Sequence, residues 1–182
     1  FYHDSAASII KDGNIIGMVF DDSEVGPRAL GNRSIVCDPN IKQMKDILNS
    51  KVKFREWYRP FAPFCKKEDA HKYFQSRNFD NLEYMSYAPR VMTEYIDKLP
   101  SITHADNTAR LQLVTEDSHS HFYELLTEFG KISDTNVLLN TSFNIRGYPV
   151  LSTISDALYC LEETEMDYVV VEDYLFEAKK CQ

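Results

Sequence analysis

The chain has 182 residues, of which 43% are hydrophobic and 13% aromatic, enough for a packed core and too much for a disordered chain. Its formal net charge of −8 disfavours general binding to nucleic acid. No apolar run approaches the ~20 residues of a membrane span, so neither a nucleic-acid nor a membrane partner is expected. Cys37, Cys65, Cys160 and Cys181 stand far apart without a C-x-x-C pair. That spacing argues against a zinc site or a disulfide framework and for a reducing, cytoplasmic setting. Phe1-Tyr2-His3-Asp4 carries no basic stretch and no cleavage site, so no signal peptide is expected. The missing initiator Met suggests a fragment or a trimmed chain.

Taken in chain order, the apolar run Ile15 to Phe20 reads as a strand entered through an Asp12-Gly13 turn. A glycine-punctuated loop follows from Gly26 to Ser34. Asp38-Pro39 reads as N-cap and first turn of a helix, with Ile41, Met44, Ile47, Leu48 and Val52 on one face. Pro60 and Pro63 end it. A short helix is expected over 68–74, and strands over 85–92 and 109–114. A helix is expected over 118–129, stopped by Gly130 as its C′ residue. Asn136 to Asn140 reads as a buried strand, 155–161 as a helix with Ser155 near its cap, and 167–171 with 174–178 as a closing pair of strands. Interleaved helices and strands give an α/β class.

The charge is unevenly placed. Residues 26–67 hold ten Lys/Arg against Asp38, Asp46 and Glu56, a surplus of seven, which leaves −15 for the remainder. A basic island in an acidic chain points to a local anionic ligand such as phosphate, although a solvated basic helix face fits the charge count as well.

Three segments carry chemistry-bearing residues. Glu24-Val25-Gly26-Pro27-Arg28-Ala29-Leu30-Gly31-Asn32-Arg33-Ser34 combines two glycines with two arginines five apart, which suits an oxyanion but is neither a Walker A loop nor G-x-G-x-x-G. Lys51 to Pro63 alternates cations with bulky rings, including Trp57, on which a purine can stack. There Pro60 biases Arg59 toward extended backbone between Tyr58 and Phe61, whereas Arg55 is placed on the solvated side. Asn140-Thr141-Ser142-Phe143-Asn144 follows an apolar strand, at the end where open α/β sheets collect ligands. Each segment has a structural explanation too: a turn, an aromatic plug, a strand-end Asx turn. His104 and Asp106 lie near Arg110. His119 and His121, two apart in a helix, face away from one another and do not read as a metal pair.

Together these segments resemble the antibiotic and nodulation O-carbamoyltransferases, in their C-terminal, YrdC-like domain. The residues are E-V-G-P-R-A-L-G-N-R-S-I (24–35), K-V-K-F-R-E-W-Y-R-P-F-A-P (51–63), T-H-A-D-N-T-A-R-L-Q (103–112) and L-L-N-T-S-F-N (138–144), in the family's order. The opening F-Y-H-D-S-A-A-S (1–8), continuing to K-D-G (11–13), resembles the start of the family's other, ASKHA-fold domain. The body of that domain is absent, as after an internal deletion, a fusion or a natural shortening. Residues 1–16 are therefore assigned to that resemblance and 17–182 to the YrdC-like domain, though Ala6 to Phe20 equally suits a first helix–strand unit.

The resemblance implies a YrdC-like open twisted mixed sheet with flanking helices. It implies that carbamoyl phosphate is converted to carbamate, which attacks the α-phosphate of ATP to give carbamoyl-adenylate. An ASKHA-fold partner domain, missing or separate here, would then pass the carbamoyl group to a hydroxyl acceptor. By the same resemblance Arg28, Lys53 and Arg59 are the catalytic cations. Arg110 and Ser142 join them in binding, with Asn140 and Asn144 as neighbours. Mg²⁺ is expected to arrive with ATP, and no protein metal site is expected. The alternative is a nucleotide-binding or structural module without turnover when isolated from its partner domain.

Overall fold

A computed structural model of the chain describes residues 3–26, 28–76, 78 and 80–179. Phe1, Tyr2, Pro27 and Cys181, which figure in the sequence reading, lie outside the described residues. The elements run α1 (His3–Lys11), β1 (Ile16–Val19), β2 (Arg33–Cys37), α2 (Met44–Lys51), β3 (Ala62–Lys66), α3 (Ala70–Tyr73), β4 (Phe74–Gln75), β5 (Arg90–Val91), β6 (Gln112–Val114), α4 (Ser120–Ile132), β7 (Val137–Ser142), α5 (Ile154–Glu163), β8 (Tyr168–Val171) and β9 (Tyr174–Glu177). Seven strands form one mixed sheet in the order β6-β3-β7-β2-β1-β8-β9, and β4 pairs with β5 in a separate ribbon. β3 runs parallel to β6 and β1 parallel to β8, while the other neighbours are antiparallel. This is the expected α/β class with a mixed sheet and flanking helices.

The sheet is covered on both faces, which is why β1 and β2 are buried at every position. On one face Ile16, Met18, Val36, Phe64 and Leu138 meet Ala6, Ala7 and Ile10 of α1 and Phe122, Leu125, Leu126 and Phe129 of α4. On the other, Val19, Ile35, Leu139 and Val171 meet Met44 and Leu48 of α2 and Ala157, Cys160 and Leu161 of α5. α4 and α5 thus bury their apolar stripe against the sheet. Residues 6–20 fold as a helix and strand within this layered unit, α1 against α4 and β1 between β2 and β8. Cys37, Cys65 and Cys160 are buried free thiols.

Several local expectations are corrected. β2 and β3 were hidden by neighbouring loop signals. Pro63 is tolerated in β3 because pairing to β6 begins only at Phe64, so its missing N–H falls before that side of the strand is engaged. Asp38 does not cap a helix. Its Oδ1 accepts from Asn40 N at 2.8 Å and Asn40 Nδ2 at 2.5 Å, closing an Asx turn, and α2 starts six residues later. Gly130 does not stop α4, which continues to Ile132. A Cβ at Gly130 would lie 2.2 Å from Asn136 Oδ1, so close packing rather than a left-handed turn explains this glycine. The strand expected over 85–92 shrinks to Arg90–Val91, and Met85 itself has a positive φ of 56°. α5 is capped by Thr153, not Ser155, through a reciprocal capping box with Asp156.

Gly17 supplies a direct test of this packing. A Cβ there would lie 2.3 Å from Phe143 Cζ and 3.0 Å from Met166 Sδ, both fully enclosed in the core. Replacing a strand glycine normally gains about 0.5–1 kcal/mol. Here overpacking outweighs that gain, and Gly17→Ala is expected to destabilise by about 1–3 kcal/mol in a urea titration.

Candidate functional site

The site grows from the C-terminal end of α2. Val52 N and Lys53 N both donate to Leu48 O, at 3.3 and 2.9 Å, and wrap the helix end. Phe54 then takes a positive φ of 45°, a conformation that disfavours a bulky side chain, and remains 43% exposed. That reversal sends Lys53 inward while Phe54 stays outside. The Lys53 side chain runs to the end of β7, where Nζ donates to Ser142 O at 2.8 Å, Asn144 O at 2.8 Å and Asn144 Oδ1 at 2.5 Å. Ser142 Oγ, 3.5 Å from Nζ, donates to Asn144 Oδ1 at 2.9 Å, and Asn144 Nδ2 donates to Tyr148 O at 2.7 Å.

Every one of these partners is a neutral oxygen. Lys53 is only 5% exposed, and burial, with Arg55 and Arg59 nearby, lowers its pKa to about 7. The surrounding oxygens favour the ammonium, so the two influences oppose each other. Lys53, Arg55, Arg59, Ser142, Asn144 and Arg146 line an open cleft of 340 Å³, with Glu56 as its carboxylate. This cleft is short of negative charge. By contrast, a cleft of 1020 Å³ beside α5 and β9 is lined by Glu162, Glu165, Asp167 and Glu177 against Lys51 and Lys179, an acidic surplus that disfavours phosphate.

Arg55 and Arg59 exchange the places expected of them. Arg55 Nε donates to Asn49 Oδ1 at 2.7 Å, and its guanidinium lies 4.5 Å from the centre of the Phe61 ring. Burial first, then Arg59 and Arg110, lower its pKa to about 10. The Arg59 side chain is 53% exposed and meets Glu56 at 3.9 Å. The reason is Asn49, a buried amide in α2 whose Nδ2 donates to Arg59 O at 3.1 Å and Trp57 O at 3.4 Å. It holds the loop by its carbonyls, so the Arg59 side chain leaves toward the cleft mouth. Trp57 and Tyr58 stand exposed beside it as an edge-to-face pair with centroids 6.0 Å apart.

Arg28 and Arg110 form a neighbouring cationic pair. Arg110 is half-buried, its Nε has no hydrogen-bond partner, and burial together with Arg28 lowers its pKa. Arg110 also contributes to the lowered pKa of Arg55, so its charge is felt at the edge of the Lys53 cleft. Arg28 is exposed on the loop before β2. Asn140 does not face the open cleft. It is buried at the sheet, where Nδ2 donates to Ala29 O at 3.1 Å and Gln112 Oε1 at 2.8 Å, while Gln112 Nε2 donates to Leu30 O at 2.6 Å. Asn140 Oδ1 has no partner. His104 Nδ1 and Asp106 Oδ1 both engage Thr108 Oγ1, at 3.0 and 2.7 Å, and close a turn ahead of Arg110.

The histidines serve the scaffold. His119 caps α4, with Nδ1 accepting from Phe122 N at 3.5 Å, so Nε2 is the donor to Asn32 Oδ1 at 2.8 Å. That neutral tautomer agrees with its pKa, which burial and then His121 lower to about 4. His121 stacks on Phe20 with centroids 4.6 Å apart. Glu24 and Gln112 stand inside motifs quoted from the sequence but without an assigned role, and Asn49 lies outside every one of them. Glu24 had a signal, standing directly before the glycine loop, whereas Asn49 resembled any polar helix residue.

Two measurements test this geometry. Sulfate, whose charge is constant near neutrality, is expected to bind most tightly below pH 7 and progressively more weakly as pH rises through the Lys53 pKa. The sign follows because an anion favours the protonated amine, and Lys53→Met should abolish the pH dependence. In thermal melts Arg55→Lys, which loses the Asn49 bond and the stack on Phe61, should cost about 1–3 kcal/mol. Arg59→Lys should melt within a few degrees of the parent, because its exposed pair with Glu56 contributes about 0–1 kcal/mol.

A family profile described as "Carbamoyltransferase C-terminus" matches residues 7–178. Nodulation protein NolO of Bradyrhizobium diazoefficiens is 41% identical over 172 residues, covering 94% of this chain and 31% of that protein. The 3'-hydroxymethylcephem-O-carbamoyltransferase of Streptomyces clavuligerus is 37% identical over 171 residues, covering 94% of this chain and 32% of that protein. The chain thus spans about a third of the length of these relatives. Among solved structures, HypF of T. kodakarensis superposes with a TM-score of 0.65 at 21% identity, over 97% of this chain and 21% of that one. E. coli YciO superposes with a TM-score of 0.62 at 12% identity, over 98% and 88% respectively. At these identities the superpositions establish a shared fold, which is YrdC-like. With the four motifs folded around one cationic field and the profile matched almost from end to end, the chain belongs to the carbamoyltransferase C-terminal family.

Proposed function

We propose that this domain activates a carbamoyl group as carbamoyl-adenylate, for transfer to a hydroxyl acceptor by an ASKHA-fold domain. The observation that carries this reading is the buried Lys53 ammonium, held by neutral oxygens alone in a cleft lined by three arginines. Such a site is completed by oxyanions. Water first cleaves carbamoyl phosphate to carbamate and phosphate. A carbamate oxygen then attacks the α-phosphorus of ATP, the bond from that phosphorus to the bridging oxygen breaks, and pyrophosphate leaves with the electron pair.

No side chain acts as nucleophile in this scheme. The protein overcomes mutual repulsion among anions and stabilises charge gathering on phosphorus oxygens. Lys53 holds a fixed positive charge at the floor of the cleft, its three hydrogens taken by Ser142 O, Asn144 O and Asn144 Oδ1. Arg59 and Arg28 are free to meet phosphate and carbamoyl oxygens, and Arg110 extends the field. Trp57 and Tyr58 offer exposed rings for the purine. Mg²⁺ would travel with the ATP phosphates. Asn140 contributes from behind the site by holding the Arg28 loop.

Exchange of labelled pyrophosphate into ATP, dependent on carbamoyl phosphate, tests the reading on the purified chain. Lys53→Met is expected to lower exchange by about 10²–10³-fold, the loss typical of a preorganised charge-stabilising donor. Nucleotide binding without exchange would reduce the domain to a binding module. Exchange independent of carbamoyl phosphate would reject the carbamoyl assignment.

A further inference from the structure

The loop bearing Arg28 is folded around a carboxylate of its own chain. Glu24 Oε1 accepts from four consecutive backbone amides: Leu30 N at 2.7 Å, Gly31 N at 2.9 Å, Asn32 N at 2.7 Å and Arg33 N at 3.2 Å. One oxygen offers two lone pairs, so charge rather than lone-pair direction gathers four donors. A run of convergent amides is an anion-binding nest, and here the protein fills it itself. Glu24 Oε2 is buried without a hydrogen-bond partner, so the carboxylate is held by one oxygen alone.

The opposite side of the loop is clamped by carbonyls, Ala29 O by Asn140 and Leu30 O by Gln112. Gly31 adopts a φ of +143°, and a Cβ there would lie 2.4 Å from the His119 ring. Residues 29–33 are thus fixed through both their amides and their carbonyls. Arg28 is the first residue outside that clamp, adjoining Arg110.

We infer that Glu24 is a positioning residue, an internal anion that shapes the 30–33 backbone and thereby sets where Arg28 meets the phosphate groups of the bound nucleotide. It also occupies the amides that would otherwise compete with Arg28 for a phosphate. This inference rests on the nucleotide-binding reading above, and it adds a residue that touches no substrate.

The test is a mutant cycle read by calorimetric titration of ATP into the purified chain. Arg28→Ala and Glu24→Ala are each expected to weaken binding about tenfold or more, and the double variant no further than Arg28→Ala alone. Formate, small enough to re-enter the nest, should restore most of the affinity of Glu24→Ala when compared with chloride at equal ionic strength. It should restore nothing in the double variant. If Glu24→Ala does not fold, Glu24→Gln, which keeps an acceptor without the charge, replaces it in the same cycle with the same non-additivity expected. Additive losses, or an unchanged affinity in a folded Glu24 variant, overturn the inference while leaving the nucleotide reading intact. A parent chain that binds no ATP brings down that reading and this inference with it.

Discussion

An ammonium group enclosed by carbonyl and amide oxygens, with no carboxylate in reach, is the constraint around which the rest of this structure is arranged. Desolvating Lys53 costs several kcal/mol unless its hydrogens are met, and an acid partner would have been the ordinary remedy. An acid would also have neutralised the cleft. Instead the chain brings the end of β7 to the lysine, so that Ser142 O, Asn144 O and Asn144 Oδ1 satisfy its donors without removing its charge. That arrangement requires the C-terminal wrap of α2, the positive φ of Phe54 and the register that sets Ser142 opposite Ser34. The strain at Phe54 is thus tied to a specific result, a positive charge retained beneath the cleft.

Around this centre the polar interior divides into two tasks. Lys53, Arg59 and Arg110 keep charge available. Asn49, Asn140 and Gln112 are buried and hold loop backbone: Asn49 holds 57 and 59, and Asn140 and Gln112 hold 29 and 30. His119 holds the Asn32 side chain. Loops carrying free arginines repel themselves, since Arg28 lowers the pKa of Arg110 and Arg59 that of Arg55. Neutral clamps hold such loops in place without discharging them. An amide suits this work because it donates and accepts with no net charge.

The sheet and its flanking helices were legible where the apolar period was unbroken, as in β1, β7 and α4. They were obscured where a local signal and the tertiary setting disagree. Pro63 argues against a strand until the late start of the β6 pairing is known, and Gly130 argues for a helix end until Asn136 is seen beside it. The residue types of the cleft were legible in part: Lys53, Arg59, Ser142 and Asn144 line it, whereas Arg28 and Arg110 stand outside its lining. What spacing could not convey was exposure. Arg55 and Arg59 are four apart in one segment, and only the buried Asn49 Oδ1 decides which guanidinium is held. A buried polar partner from another turn of chain leaves no period in the sequence.

The charge asymmetry acquires a physical meaning once the cations are located. Beyond a Debye length, roughly 8–10 Å in physiological salt, the −8 carried by the whole chain is largely screened. Inside that distance the field is set by neighbours, and at the cleft those are Lys53, Arg55, Arg59 and Arg146 with Glu56. A low-dielectric wall strengthens them further, because the sheet beneath is closely packed. In the larger opening beside α5 and β9 the acids outnumber the two lysines, Lys51 and Lys179, and the balance is reversed. On the proposed reading a small multivalent anion is drawn to the opening where Lys53 stands. Long polyanions, which must lie across both regions, gain far less. On the proposed reading, selectivity for a compact anion over a nucleic-acid chain rests on where the acids lie as much as on where the arginines do.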